Sequence, residues 1–274
     1  MPLIINDQIS IHRGPLYKYK SLDGANFDHT MEILRDNSIF CPTPRQLNDP
    51  EECRPDLVIG DLSDRAYKAK IEAWARRCIA HRDTQPTEAE IQNELAQLTP
   101  EKLAEMAGAT AGLYHRAIDE QYRILSMALS PLNGHLWSAY AADYTGVCIQ
   151  LNITPLVATA YRVKYSDDVP LLDLVDDNGF ASLDMTALRK RKAWQPEGEA
   201  RFILREPPLT EDRPLVNQKL RLDPESLQAV MFGYRIAEGK EQQLMEAIRG
   251  RGARMFIAGG PPFRDLSLRY IGQS

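Results

Sequence analysis

From Asp61 to about Gln121 the chain reads as helix, whereas the segments on both sides of that block read as strands. Ile71, Trp74, Cys78 and Ile79 recur at helical spacing. Thr87 and Glu90 form a capping box ahead of Ile91, Leu95 and Leu98, and Thr99-Pro100 opens a further helix. Strands formed before and after such a block must pair across it. The pattern therefore predicts an α+β fold with a mixed or mostly antiparallel central sheet that forms a cleft. It also predicts one elaborated domain over residues 1–274, with a helical insertion at 61–121 after the second strand.

The first strand is expected at Leu16–Lys20, where Tyr17 and Tyr19 alternate with Leu16, Lys18 and Lys20. A helix at Asp28–Arg35 and a strand at Ser38–Cys41 follow. Residues Pro42–Pro55 carry an Asn-Asp-Pro turn among several prolines and read as a shaped loop. Beyond the helical block, strands are expected at Ile124–Ala128 and Val147–Leu151 around a helix at Leu136–Tyr144. Later strands are expected at Tyr161–Tyr165, Arg201–Leu204, Ala229–Phe232 and Arg254–Ile257, and helices at Leu183–Lys192 and Glu238–Arg249.

Composition narrows the function classes. The net charge of −5 comes from interleaved acids and bases, which argues against a broad nucleic-acid footprint. Four cysteines show no CxxC pair, and five histidines share no ligand spacing, so neither a disulfide framework nor a metal is expected. P-loop, GxGxxG, GxSxG and HExxH motifs are absent. With no apolar run long enough to span a bilayer and no leader-like start, a soluble, cytoplasmic protein without a membrane partner is expected.

Four groups of residues are candidates for chemistry. If a strand begins at the glutamates, Glu197, Glu199 and Arg201 share one face by period-two alternation, with Trp194 beside them as a shield from water. The competing reading is an exposed ion pair. Tyr17, Tyr19 and Lys20 lie in a strand placed at the cleft mouth, or else the tyrosines are core residues with wet hydroxyls. Asn48 and Asp49 either face a substrate or lock their loop. Trp137, Tyr140 and Tyr144 share a helical stripe that reads first as core, while Ser126 and Ser130 flank a strand end. The run Arg189-Lys190-Arg191-Lys192 reads as a solvated helix end, or as an anion contact if it lines the cleft.

Five ordered segments resemble the bacterial domain of unknown function 2971 family. They are Leu16-Tyr17-Lys18-Tyr19-Lys20-Ser21; Leu47-Asn48-Asp49-Pro50-Glu51; and Leu136-Trp137-Ser138-Ala139-Tyr140 with Gly146-Val147-Cys148-Ile149. Lys192, Trp194, Glu197, Glu199 and Arg201, and then Ala229-Val230-Met231-Phe232-Gly233, complete the set. Glu51 stands where that family commonly has an aromatic residue, and Ala139 and Tyr144 stand where it often has histidines.

The order of a polar early strand, a central Ser or Tyr motif and a late Glu-x-Glu is also similar to ADP-ribosyltransferases. This similarity implies NAD as substrate and transfer of ADP-ribose to a protein, nucleic-acid or small acceptor. Glu199 would then be the key carboxylate and Glu197 the acceptor-orienting one. Tyr140 would stack on nicotinamide, with Tyr17, Tyr19, Lys20, Ser130 and Trp137 as further cofactor contacts. Two alternatives remain open at this point: a non-catalytic nucleotide-binding or regulatory module of bacterial stress or phage defence, and a metal-dependent nuclease built on Asp49, Glu197 and Glu199.

Overall fold

A computed structural model describes residues 9–80, 86–153, 159–175, 186–206, 215–259 and 267–274. The alternating segment begins with β1 (Ile11–His12) and β2 (Leu16–Lys20), followed by α1 (Ala25–Leu34), β3 (Ser38–Phe40) and β4 (Asp56–Val58). The helical block is α2 (Arg65–Ala80), α3 (Glu88–Ala96) and α4 (Pro100–Gln121). Then come β5 (Tyr122–Ala128), α5 (Gly134–Ala139), β6 (Val147–Leu151), β7 (Ala160–Arg162), β8 (Lys164–Tyr165), β9 (Leu171–Asp173) and β10 (Arg189–Lys190). The chain continues through β11 (Glu199–Arg205), β12 (Leu215–Val216), β13 (Lys219–Arg221) and β14 (Leu227–Gly233). It ends with α6 (Glu238–Ile248), β15 (Arg254–Gly259) and β16 (Ser267–Gln273).

Nine strands form one sheet in the order β1-β7-β11-β5-β2-β6-β14-β15-β16. Every neighbouring pair is antiparallel except β14 and β15, so the fold is α+β around a mixed, mostly antiparallel sheet. Strands from before and after the helical block do pair: β2 lies between β5 and β6. On one face, Leu125, Met127, Ile149, Phe202 and Phe232 pack under Ile33 and Leu34 of α1 and Leu244 and Ile248 of α6. Each such side chain stabilises the fold by roughly 1.5–3 kcal/mol relative to exposure. The opposite face carries Tyr17, Tyr19, Cys148 and Met231, covered by Leu136 and Trp137 of α5. That second face holds the candidate site.

Local signals account for the helical block. Thr87 accepts the Glu90 amide and the Glu90 carboxylate returns to the Thr87 amide, while Thr99 caps α4 with Pro100 in its first turn. The buried stripe of α2 is Ile71, Ala75 and Ile79, and Cys78 is exposed. Cys41, Cys53 and Cys148 are buried, and burial pushes the first two thiols up to about 12, so they stay protonated. The block enters after a short extra strand, β4, rather than directly after the strand at Ser38. Among the described residues no helix is long and apolar enough to cross a membrane.

Three expectations need correction. Of the helix expected at Leu183–Lys192, residues 183–185 lie outside the described residues, and Arg189–Lys190 form a strand paired parallel with β8. The segment Tyr161–Tyr165 is broken into β7 and β8. The helix expected to reach Tyr144 stops at Ala139, because Ala142, Asp143 and Tyr144 all take positive φ (47°, 51° and 66°). This left-handed turn is tied by the Ser138 hydroxyl to the Asp143 carboxylate. It returns the Tyr144 ring onto Trp137, with centroids 5.4 Å apart and planes 4° from parallel. Tyr140 packs against the same cluster, at the end of the shortened helix.

Two glycines hold this turn against the sheet for reasons of space. A Cβ on Gly233 would sit 2.1 Å from the Tyr144 carbonyl oxygen, and one on Gly146 would sit 2.2 Å from that of Lys20. Both obstacles are backbone, so close approach rather than an unusual φ demands glycine there.

Candidate functional site

The site is built on a row of residues that crosses three strands. In register, Glu199 of β11 faces Ala128 of β5, and Ala128 faces Tyr17 of β2. One step along, Arg201 faces Ser126. Small residues in the middle strand between large polar ones leave space above the sheet. The result is a cavity of about 220 Å³, walled by Tyr17, Tyr19, Tyr140, Glu197, Glu199 and Arg201. Asn48, Glu52 and Leu47 of the shaped loop close another side, with Lys18, Ser126 and Lys190 also in the wall.

Glu197 reaches the cavity because the chain turns sharply beside it. A 3-10 helix at Lys192–Glu197 ends on Gly198, whose left-handed conformation (φ 55°, ψ 67°) places the carboxylates on either side of it into one space. Asn133 pins this turn: its carbonyl oxygen caps α5 by accepting the Leu136 amide, while its amide donates to the Pro196 carbonyl at 2.6 Å. The Glu199 backbone amide donates to the Tyr165 hydroxyl at 2.9 Å.

Beneath the cavity lies a buried ionic cluster. Arg201, with no exposed surface, donates from Nε to Glu199 at 2.6 Å, from one terminal nitrogen to Glu52 at 2.5 Å and Glu199 at 3.0 Å, and from the other to the Ala187 carbonyl at 2.9 Å. Lys190 meets the same carboxylates: Nζ is 2.5 Å from Glu197 and 3.4 Å from Glu199. It is also 3.1 Å from Glu52 Oε1, outside hydrogen-bond geometry, so that contact is an ion pair only. The Trp194 ring covers Lys190, with its centroid 4.7 Å from Nζ. The exposed-pair reading of Glu197, Glu199 and Arg201 therefore fails, since all three side chains are buried. So does the solvated helix-end reading of Lys190.

The cluster sets its own protonation. Burial alone would raise the Glu199 pKa, but the charge and hydrogen bonds of Arg201, then Lys190, outweigh it and hold the carboxyl at about 2. Burial would lower Lys190, yet Glu199 and Glu52 raise it above the usual lysine range. Above these ions, the Tyr140 hydroxyl donates to Glu197 Oε1 at 2.5 Å and accepts from the Asn48 amide at 2.7 Å. Burial and then Glu197 push that phenol well above its ordinary range, so Tyr140 is a neutral donor.

Other candidates take different places. The Tyr19 hydroxyl is engaged by the Ser130 carbonyl (2.9 Å) and the Asn133 amide (3.3 Å), and its ring meets Trp137 edge-on. Trp137 is fully buried and its Nε1 donates to the Pro131 carbonyl, which makes it core rather than cavity wall. Lys20, Ser130 and Trp194 also lie outside the wall. Asp49 is buried, accepts the Glu51 amide as a turn lock, and lines a neighbouring cavity of about 490 Å³. That second cavity shares Glu52 and Lys190 with the first.

Sequence reasoning missed Lys18 and Glu52, and named Lys190 only within a basic run that would contact an anion if it lined the cleft. The alternation at Leu16–Lys20 marks a strand, but nothing in it shows that Lys18 joins the cavity wall. Nothing local marks Glu52, which meets Arg201 across 149 positions.

Comparisons of the chain with protein-family models, with curated proteins and with solved structures find no match.

Proposed function

We propose that the cavity receives the nicotinamide–ribose end of NAD and supports transfer of ADP-ribose to an acceptor. The observation that carries this reading is the meeting of Tyr17 and Tyr140 with Glu197 and Glu199 around one hollow, from three distant parts of the chain. At about 220 Å³ the hollow is below the roughly 300–1,000 Å³ of pockets for drug-sized ligands, so it suits one ring and its sugar, with the rest of the dinucleotide outside. In the transfer, the nicotinamide–ribose bond breaks with its electron pair leaving on nicotinamide. Positive charge develops on the sugar, and the acceptor nucleophile then bonds to the same carbon and gives up its proton. A fixed carboxylate stabilises that charge without reorganising.

The two glutamates divide the work in a way that departs from the sequence-based assignment. Glu199 accepts two bonds from Arg201 and one from Lys190, which leaves it little further capacity, and it serves as the fixed counter-charge. Glu197 accepts one bond on each oxygen, so it has lone pairs left for a ribose hydroxyl. Tyr140 then offers its ring to nicotinamide.

Glu197→Gln is expected to lower nicotinamide release from NAD at least about tenfold, the scale of one hydrogen bond to a charged group. The check is mass spectrometry of purified protein with NAD and cell lysate. Unchanged turnover in that variant overturns the role of Glu197. The near-saturation of Glu199 by Arg201 and Lys190 also favours a second reading, a module that binds the nucleotide without turning it over. That reading predicts NAD binding with no nicotinamide release. A nuclease metal is a poor fit to Glu197 and Glu199, because a divalent ion there would have to displace Lys190.

A further inference from the structure

β2 and β5 are joined at one register position, Tyr17 opposite Ala128. On the other side of Ser126, the Ile124 amide bonds the Pro42 carbonyl at 2.8 Å instead of β2. The sheet is therefore parted beside Lys18. Strand alternation assigns Lys18 to the face of Leu16, away from the tyrosines. Lys18 nevertheless forms part of the cavity wall, and its Nζ donates to the Ser126 carbonyl at 2.8 Å. Among the described residues no carboxylate lies within ion-pair distance of it, in contrast to Lys190 with three.

We infer that Lys18 is an amine nucleophile of this cavity, placed to capture a small uncharged aldehyde or ketone as an imine. The geometry supplies what the step needs. An amine held by a neutral carbonyl faces a hollow large enough for a few-carbon compound, and the Tyr140–Glu197 pair in the same wall offers a donor and an acceptor for protons. Each of the three carboxylates around the hollow, Glu52, Glu197 and Glu199, is in an ion pair with Arg201 or Lys190, so none is left unpaired to bind an ionised substrate.

In the step, the nitrogen lone pair forms the C–N bond and the carbonyl oxygen is protonated. The carbinolamine then loses that oxygen with two protons as water, leaving C=N. No oxidant or reductant is consumed. Burial pushes the Lys18 ammonium below the usual lysine range, against the opposing pull of Glu199 and Glu197. The inference is independent of the NAD reading, since imine capture involves no dinucleotide.

The test is trapping of the intact protein with propionaldehyde and sodium cyanoborohydride near neutral pH, followed by peptide mapping. The expected result is one adduct at Lys18, formed ahead of any at exposed lysines because burial enlarges its neutral fraction. Lys18→Arg removes that adduct while circular dichroism shows an unchanged fold. Lys20 is the internal competitor: burial and the neighbouring Lys18 bring it to about 8, but it is not part of the cavity wall. First labelling at Lys20, or labelling spread over surface lysines, overturns the inference. Because the wild-type map identifies the site by itself, a poorly folding variant does not leave the question open.

Discussion

Arg201→Gln is expected to lower folding stability by about 3–5 kcal/mol, the range for removing one partner of a buried ion pair. The guanidinium is fully buried and binds Glu199 and Glu52 together. Its loss leaves three buried carboxylates around Lys190 alone. Most of the cost is the desolvation of charges left without a partner, not the intrinsic strength of the pair. Urea unfolding measures it, with Arg35→Gln as the comparison. Arg35 and its partner Asp36 are 63% and 44% exposed, so solvent screens that pair and its loss is expected to change stability little. Equal losses in the two variants would mean that the cluster is wetter than described.

The same cluster makes the protein labile to acid in a defined window. The Glu199 carboxyl is depressed from the usual 4.5 to about 2, so its contribution is complete above the unfolded-state value and is lost as pH falls toward the folded-state one. A shift of that size corresponds to on the order of 3 kcal/mol, of which about 2 kcal/mol disappears between pH 5 and pH 3. Unfolding free energies of wild type at those two pH values are expected to differ by that much more than those of Glu199→Gln. Parallel pH profiles for the two proteins would contradict the assignment.

How far the sequence could be read depended on the range of the interactions involved. The capping box at Thr87 and Glu90, the Thr99-Pro100 start and the alternation at Leu16–Lys20 act within a few residues, and all appear in the fold. The shared face of Glu199 and Arg201 follows from strand period alone, and the α-and-β composition follows from strands flanking a helical block. What stayed hidden was tertiary. Lys18 joins the cavity wall where two neighbouring strands part, and no local pattern reports that. Lys190 looked like a helix end because a basic run beside Leu188 mimics one, whereas a two-residue pairing with β8 turns it inward. Tyr140 looked like one member of a helical stripe because Ala142 and Tyr144 are not residues that usually announce a left-handed turn, and Asp143 between them is a weak signal by itself. Cys78 and Ala75 exchange roles on α2, since apolar spacing does not choose between adjacent stripes.

The central claim is that Tyr140 and the glutamates beside it form a nucleotide site. Isothermal titration with NAD tests it most directly, using wild type and Tyr140→Ala. Stacking of an aromatic base on a side chain contributes about 1–3 kcal/mol, so the account predicts binding to wild type and at least about fivefold weaker binding to the variant. Absence of binding to wild type at millimolar NAD, or equal affinity in the two proteins, would contradict it.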